Sequence, residues 1–439
     1  MKKQAVLIVK KLQDAGFEAY FAGGGVRDIL LGVEPKDIDI ATSAKPDEIE
    51  KLFNHTIPVG KQYGIIIVRE NDQNFEVATF RTESNYEDKR RPLKISFTSA
   101  EQDARRRDFT INGLYMDPVR NKIIDFVGGQ DDIKRKVIKF IGDPTDRINE
   151  DYLRLLRAVR FKITLGFQYD EDTFNAVRKN VSLIKSVSAE RIRDELNKIF
   201  ISYNRATALI ELSESGILRE VLPEIEKLKG VAQPPQYHQE GDVFTHTYLA
   251  MKSLPKNASL HLAWATLLHD IAKPKTEIRL DDQIIFHDHA KVSAKMARAI
   301  LSRLKFSNIE INTISWLIDN HMKIAQIEKL RPGKKSEFLL DNRFPDLLEL
   351  VRADTLGTHP ARLDRLDEWQ KSRDELITQK EKYIIKSQKL KLFSGDDLIK
   401  LGLSPSEKFK EILDKVHDRI LENEITTQQE AINYVKTLI

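Results

Sequence analysis

The hydrophobic repeat of the chain changes once, and this change limits what the chain can fold into. Up to about residue 140, apolar and polar residues alternate in short segments such as DIDIAT, GIIIVRE, FEVATF and KIIDF, which indicates half-buried β-strands. From Asp146 to about Lys229, apolar residues recur every three to four positions, which indicates helices. The sequence therefore predicts an α+β chain: a mixed sheet first, then an all-α part.

The length and the breaker residues predict four units. A chain of 439 residues is too long for one ordinary hydrophobic core. The segment VAQPPQYHQEGD, rich in helix breakers, precedes a second helical region that holds most of the histidines, and a highly charged helical stretch follows it. We predict units at residues 1–140, 141–232, 233–362 and 363–439.

Composition excludes several classes of protein. No run of about eighteen apolar residues occurs, and Lys10 and Lys11 interrupt the apolar N-terminal stretch, so we expect neither a membrane span nor a signal peptide, and a cytoplasmic location. Without cysteine there can be no disulfide, thiolate zinc site or cysteine nucleophile. The net charge of +4 is compatible with a polyanionic partner but does not require one.

Two aspartates and a glycine turn mark the first candidate site. Asp37 and Asp39 lie two apart in an alternating segment, so both carboxylates can project from one face and hold two divalent metals. Gly24 and Gly25 precede Arg27 where a strand should give way to a helix, and free backbone N–H groups there favour a phosphate. Either motif alone is also typical of an ordinary turn; together they indicate phosphoryl transfer.

These motifs carry a family resemblance. GGGVRD followed by DIDIATSA resembles motif A of the class II nucleotidyltransferases, which comprise bacterial and eukaryotic CCA-adding enzymes of tRNA and bacterial poly(A) polymerases. RRDFTINGLYMD, EDYLRLLRAVRF and SAERIRDELNKIF resemble the family's motifs B, D and E, in the expected order over about residues 15 to 225. The resemblance implies a polymerase beta-like head on a mixed sheet, followed by an all-α neck and body.

The resemblance assigns the chemistry of the head. It implies that Asp37 and Asp39 bind a pair of Mg²⁺ ions and that Glu76 takes the proton from the attacking 3′-hydroxyl. It places Arg107 and Asp108 at the triphosphate and ribose of the bound nucleotide.

The same resemblance assigns nucleotide selection to protein side chains. Asn112 assists from the turn of motif B, and Asp151 and Arg154 recognise the base. A carboxylate beside a planar guanidinium can imitate the edge of a pairing base. Arg157 and Arg160 would steady the phosphates or the ribose, although the helix by itself is also typical of a salt-bridge ladder. We read Glu190 and Arg191, from motif E, as structural.

A polar segment lies between motifs A and B. The segment ESNYEDKRRPLKISF, broken by Pro92, predicts a mobile loop beside the active site. It resembles the flexible loop of CCA-adding enzymes, and its full length favours addition beyond CC.

A second constellation lies in the histidine-rich region. Its order H…HD…H…H…D resembles the metal-ligand pattern of the HD phosphohydrolase superfamily, and imidazoles with carboxylates suit Mg²⁺, Mn²⁺ or Ni²⁺. The resemblance implies an all-α HD domain that hydrolyses a phosphate ester. The six predicted ligands are His246, His269, Asp270, His289, His321 and Asp354.

The sequence thus predicts an enzyme that adds CMP, CMP and AMP to the tRNA 3′ end from CTP and ATP, with a phosphatase or 2′,3′-cyclic phosphodiesterase side activity. Three alternatives remain open: an A-adding tRNA nucleotidyltransferase, a poly(A) polymerase, and a protein whose main activity is HD phosphohydrolysis.

Overall fold

The computed structural model describes residues 2–86, 92–234, 236, 238–280, 283–330, 338–339, 341–358 and 363–438. The first third forms a mixed seven-stranded sheet of order β3-β4-β5-β2-β1-β8-β9, in which only β2 and β5 pair in parallel. The strands of this part of the chain, of which β6 and β7 lie outside the seven-stranded sheet, are β1 (Ala19–Ala22), β2 (Asp39–Thr42), β3 (Thr56–Ile57), β4 (Ile65–Glu70), β5 (Gln73–Thr79), β6 (Arg81–Tyr86), β7 (Pro92–Phe97), β8 (Leu114–Asp117) and β9 (Lys122–Asp125).

The helices of the head cover this sheet because their apolar residues recur at helical spacing. In α1, Ala5, Ile8, Val9 and Leu12 form one buried face. The head helices are α1 (Lys2–Asp14), α2 (Gly24–Leu30), α3 (Pro46–Leu52), α4 (Ala100–Arg105) and α5 (Gly129–Arg135), with 3-10 turns at Lys61–Tyr63 and Thr110–Asn112.

The predicted loop between motifs A and B is partly wrong. Its two arms are strands β6 and β7, which pair with each other as an antiparallel hairpin outside the main sheet. Pro92 is compatible with this because a proline is tolerated at the first residue of an edge strand. Residues 87–91, at the centre of the predicted loop, lie outside the described residues.

The neck is helical as predicted, apart from one short parallel pair of strands that ties it to the head. The elements are β10 (Val137–Ile138), α6 (Pro144–Glu150), α7 (Arg154–Leu165), β11 (Gln168–Tyr169), α8 (Glu171–Lys179), a 3-10 turn (Val181–Ser186), α9 (Ala189–Phe200), α10 (Arg205–Glu214), α11 (Ile217–Val221) and α12 (Pro223–Glu226).

The histidine-rich region is also helical, with one addition that the sequence did not predict, the small β12-β13 hairpin. Its elements are α13 (Val243–Ser253), α14 (Leu260–Leu268), α15 (Lys273–Thr276), β12 (Glu277–Leu280), β13 (Gln283–Phe286), α16 (His289–Arg303), α17 (Asn308–Asn320), a 3-10 turn (Lys323–Lys329) and α18 (Phe344–Gly357).

The C-terminal part contains α19 (Leu363–Leu390), α20 (Gly395–Lys400), α21 (Glu407–Leu421) and α22 (Gln428–Leu438). Buried residues between Ala5 and Ala353 form one continuous hydrophobic cluster that runs through head, neck and histidine-rich region. The last three helices pack around a separate cluster centred on Phe393, Leu398 and Val416. None of the described helices is long and apolar enough to cross a membrane.

Candidate active site and metal centre

Three carboxylates share one face of the head sheet. Asp37 precedes β2 and Asp39 opens it, and both are exposed while the intervening Ile38 is buried, so they point the same way as predicted. The parallel register of Ile40 with Val77 brings Glu76, also exposed, alongside Asp39. The neighbouring protein removes part of the water around the Asp39 carboxylate, and this desolvation together with the negative charge of Glu76 raises the pKa of Asp39. A divalent cation would relieve this repulsion.

The glycine turn lies directly beside these carboxylates. Gly23 caps α2 with φ at 68°, in the region that favours glycine. A Cβ atom on Gly23 would lie 3.0 Å from Nη1 of Arg107 and 4.0 Å from Oδ2 of Asp39. Gly25 packs closely as well, because a Cβ there would lie 3.1 Å from the carbonyl oxygen of Asp37. The turn therefore brings backbone against both an acidic and a basic group of the site.

A hydrogen-bonded chain joins four of the predicted residues. Arg27 Nη1 donates to Asn112 Oδ1 at 2.6 Å, and Asn112 Nδ2 donates to Asp108 Oδ1 at 3.1 Å. Arg157 donates to Asp108 Oδ2 from Nε at 2.8 Å and from Nη2 at 2.5 Å. Burial raises the pKa of Asp108, but Arg157 and Arg154 outweigh it and lower the pKa to about 2. Motifs A, B and D are thereby linked side chain to side chain.

Two residues that organise these arginines were not predicted. Phe161 is buried, and the guanidinium groups of Arg27, Arg157 and Arg160 lie 5.3, 5.2 and 4.1 Å from its ring centre. Arg160 also pairs with Glu195 at 2.5 Å. Phe161 lies four residues after Arg157 on α7, so helical spacing would have identified it.

The second such residue is Asp103, which is 2% exposed. Its carboxylate accepts from Arg106 Nε at 2.9 Å, from Arg107 Nη2 at 3.2 Å and from the Tyr115 hydroxyl at 2.5 Å. Burial raises its pKa, but the charges of Arg106 and Arg107 outweigh burial and lower the pKa to about 2. Asp103 therefore fixes the direction of Arg107, which reaches toward the glycine turn.

The hydrogen bonds and ion pairs of Asp103 predict that the free energy of unfolding depends on pH. The lowered pKa of Asp103 means that its interactions stabilise the fold fully above the ordinary aspartate pKa of about 3.9 and are lost as the pH falls toward 2. Lowering the pKa of Asp103 from about 3.9 to about 2 corresponds to roughly 2.5 kcal/mol. We expect Asp103→Asn to lower the free energy of unfolding by about this amount at pH 7, measured by urea denaturation, and the difference from the unchanged chain to shrink below pH 4. The exposed Asp131→Asn is the control, and a pH-independent difference would contradict the prediction.

The two residues expected to recognise the base are held by different partners. Asp151 directly follows the last residue of α6, and Arg154 opens α7, so a short break separates them where the sequence predicted one continuous helix. Both oxygens of Asp151 accept from Arg191, at 3.0 and 2.7 Å. Arg154 donates to Glu150 at 2.6 Å and to two backbone carbonyls. Arg191, which we read as structural, therefore orients Asp151.

The structure brings the six predicted HD residues together, and we call them the HD cluster. They form two groups of possible ligand atoms, each within 4.8 Å: His246, His269 and Asp354, and Asp270, His289 and His321. Asp270 joins the groups, because its carboxylate lies 3.2 Å from Nε2 of His269 and 3.4 Å from Nε2 of His289. Within the described part of the chain, groups this tight occur only in this region, whereas Asp37, Asp39 and Glu76 do not form one.

The hydrogen bonds of the imidazoles leave one ring nitrogen of each available to bind a metal ion. Nδ1 of His269, His289 and His321 each lies at 2.7 to 3.1 Å from the carbonyl oxygen three residues earlier, so Nδ1 carries the proton and Nε2 is left as a ligand. Nε2 of His269 is buried and makes no hydrogen bond in the described structure. An unsatisfied buried nitrogen aimed at two carboxylates is the arrangement expected where a cation binds.

The pKa values of the imidazoles in the HD cluster also favour a bound cation. Burial lowers the pKa of His269, but Asp270 and Asp354 outweigh burial and raise the pKa to about 10. Burial and the positive charge of His269 lower the pKa of His321 to about 4. Lys273, also unpredicted, pairs with Asp270 at 2.7 Å and donates to Gln233. The carboxylates of Asp270 and Asp354 thus stabilise a positive charge placed between them.

Comparison with known proteins assigns these sites to a family. Family models match the Poly A polymerase head domain at residues 19–139, the Probable RNA and SrmB- binding site of polymerase A at residues 166–229, and the HD domain at residues 243–367. The CCA-adding enzyme of Ligilactobacillus salivarius is 32% identical over 437 residues, which cover 98% of this chain and 95% of that protein.

Solved structures of CCA-adding enzymes superpose on this chain over nearly its whole length. The Bacillus stearothermophilus CCA-adding enzyme in complex with CTP superposes with a TM-score of 0.67 at 26% identity, covering 99% of this chain and 98% of that one. The Thermotoga maritima CCA-adding enzyme complexed with tRNA shares the fold, with a TM-score of 0.52 at 19% identity, covering 99% and 94% of the two chains. The predicted nucleotidyltransferase head, helical body and HD domain are confirmed. The chain belongs to the family of CCA-adding enzymes, in a form that carries an HD domain.

Proposed function

We propose that this chain is a tRNA nucleotidyltransferase that adds CMP, CMP and AMP from CTP and ATP to the tRNA 3′ end without a nucleic-acid template. The observation that carries the proposal is the face formed by Asp37, Asp39 and Glu76, which adjoins the arginine network of motifs A, B and D. Family membership over nearly the whole length favours CCA addition over an A-adding enzyme or a poly(A) polymerase.

In the proposed reaction, the 3′-oxygen of the tRNA forms a bond to the α-phosphorus, and the bond from that phosphorus to the β-phosphate bridging oxygen breaks, releasing pyrophosphate. Glu76 takes the proton of the 3′-hydroxyl. Asp37 and Asp39 would hold divalent cations, for which we propose Mg²⁺; when bound, these neutralise charge on the phosphate oxygens. Arg27 and Arg107 face the triphosphate, beside the backbone of Gly24 and Gly25.

In this proposal, Asp151 and Arg154 select the nucleotide by recognising its base. Cytosine and adenine both present an exocyclic amino group next to a ring nitrogen acceptor, so a carboxylate acceptor and a guanidinium donor can bind either base. Uracil and guanine place a carbonyl where the amino group should lie, which would leave the Asp151 carboxylate without a donor. We assign Asp108 and Asn112 to the ribose, with Arg157 holding Asp108 and Arg160 supporting Arg157 through Phe161.

We further propose the division of labour among the four units. Residues 1–140 carry the chemistry, and residues 141–232 select the nucleotide and bind RNA. Residues 233–362 form the metal-dependent HD domain, and residues 363–439 form a helical tail. The family models support the first three units, and the separate hydrophobic cluster around Phe393 supports the fourth.

The activity can be tested directly. We would incubate the protein with Mg²⁺ and tRNA transcripts that end before CCA, after C or after CC, supplying CTP, ATP or both, and resolve the products at one nucleotide. We expect all three transcripts to be completed to CCA. Extension of the CC-ending transcript alone, by one A, would instead identify an A-adding enzyme.

A second activity is proposed for the HD cluster, because the six predicted ligands lie together and the buried Nε2 atom of His269 makes no hydrogen bond in the described structure. A divalent cation held there, for which we propose Mg²⁺, Mn²⁺ or Ni²⁺, would acidify a water for attack on a terminal or 2′,3′-cyclic phosphate.

We expect the double change His269→Ala and Asp270→Ala to reduce hydrolysis of an RNA ending in a 2′,3′-cyclic phosphate by more than about 100-fold. CCA addition by the same variant is the internal control for folding. Asp270→Asn, which preserves volume, should give the same loss. An unchanged hydrolysis rate would remove the HD cluster from this role.

A further inference from the structure

One imidazole of the HD cluster is oriented differently from the others. His269 and His321 follow directly after helices α14 and α17, where the last carbonyl groups of each helix have no partner and can accept from Nδ1. His289 uses the carbonyl of Phe286, which precedes its helix. His246 lies within α13 instead, and the carbonyl three residues before it, that of Val243, accepts from the Thr247 hydroxyl. His246 therefore needs a partner from a side chain.

Glu240 supplies that partner. Its Oε1 atom lies 3.2 Å from Nδ1 of His246 and 2.7 Å from Nδ1 of His238, and its side chain is 1% exposed. The two rings stand perpendicular, with centres 5.4 Å apart, and both contact the same carboxylate oxygen. On the opposite side of the His246 ring, Nε2 lies 2.9 Å from Asp354.

The backbone before α13 fixes this carboxylate in place. Gly241 turns the chain with φ at 118°. Asp242 then caps the helix by accepting from the backbone N–H of Thr245 at 2.8 Å, and also binds the N–H of Gly230 at 2.6 Å. A buried carboxylate is costly unless its oxygens are hydrogen-bonded, so the placement of Glu240 between two imidazoles is specific.

We propose that Glu240 is a positioning residue for metal binding by the HD cluster. By accepting the Nδ1 proton of His246, it fixes the tautomer in which Nε2 offers its lone pair to the cation, and it raises the basicity of that nitrogen. Nδ1 of His238 contacts the same carboxylate oxygen, Oε1, and helps to hold it in place. This inference rests on the proposed metal-binding role of the cluster, but it adds a residue outside the six predicted ligands.

The test measures metal binding by the full-length chain with Mn²⁺ as the probe. Asp37→Ala and Asp39→Ala are introduced as a common background, so that the head carboxylates do not contribute to the titration. Removal of an outer carboxylate of this kind typically weakens metal binding 10- to 100-fold. We expect a loss of about this size for Glu240→Ala and a smaller one for Glu240→Gln, whose amide oxygen can still accept from Nδ1. Gln239→Ala, an exposed neighbour, should bind as the background does.

A spectroscopic measurement separates positioning from a general loss of folding. With Co²⁺ in place of Mn²⁺, the visible absorption bands report the ligand geometry; we expect them to change in Glu240→Ala and to be largely restored in Glu240→Gln. Equal Mn²⁺ affinity and unchanged Co²⁺ bands in Glu240→Ala would overturn the inference while leaving the metal site intact. If the background chain bound none of Mn²⁺, Mg²⁺ and Ni²⁺ in the same titration, both this inference and the proposed HD activity would be overturned.

Discussion

Asp39→Ala should abolish nucleotide addition, with a loss of about 10⁴-fold or more in the rate of single CMP incorporation. Asp39 lies on the carboxylate face, beside Glu76 and within reach of Arg107. Desolvation and the negative charge of Glu76 raise the pKa of its carboxyl group. Losing about 6 kcal/mol of charge stabilisation at the transferring phosphate corresponds to a loss of about 10⁴-fold.

The measurement is a single-turnover assay on a tRNA transcript that ends before CCA. Asp39→Asn should lose nearly as much activity, because the amide keeps the shape but not the charge. The exposed Asp14→Ala, also in the head, is the matched control and should react normally. Retention of a tenth of the activity by Asp39→Ala would mean that the carboxylate face does not hold the reacting groups.

The second large effect concerns the choice of base. We expect Asp151→Ala to lower the preference for CTP over UTP by about 10²-fold or more, because a site built to hydrogen-bond one edge rejects the wrong edge by leaving its polar groups unpaired. Arg191→Ala should produce much of the same loss, since both oxygens of Asp151 are held by Arg191. The preference is measured from the ratio of kcat/KM values for the two nucleotides.

Arg191→Lys distinguishes orientation from charge. Lysine keeps the positive charge but cannot bond both carboxylate oxygens in a planar fork, so selectivity should recover only in part. Lys179→Ala, exposed on α8, should leave selectivity unchanged. If Arg191→Ala discriminated between CTP and UTP as well as the unchanged chain does, Asp151 would not depend on Arg191 for its orientation.

The alternation of apolar and polar residues was sufficient to predict where the acidic residues would point. Ile38 and Ile40 are buried and the aspartates between and before them are exposed, as a period of two requires. Composition was misleading at residues 83–97, a charged segment with a proline that was expected to be a loop. Its two arms lie in the β6-β7 hairpin, because strand pairing depends on partners rather than on composition.

Only the distant partners of the arginines were beyond sequence reasoning, and for a related cause. Arg157 reaches Asp108 across 49 positions, and Arg191 reaches Asp151 across 40, so neither pair follows from local spacing. Asp103 and Phe161 lie four residues from Arg107 and Arg157, and a closer reading of helical spacing could have found both. Glu240 precedes a helix in a breaker-rich segment, where no periodicity exists to mark it.

The continuous core decides how the two activities can be studied apart. Trp264, on the helix that leads to His269, packs edge-on against Phe200 of α9 with ring centres 5.2 Å apart, and its indole N–H donates to Asn197 at 2.8 Å. Cutting the chain near residue 232 would break the contact between the two aromatic rings and the hydrogen bond between Trp264 and Asn197. Separating the domains would thus leave an exposed apolar patch on each fragment, and such patches favour aggregation. Point variants in the intact chain are therefore the better way to study nucleotide addition and phosphate removal separately.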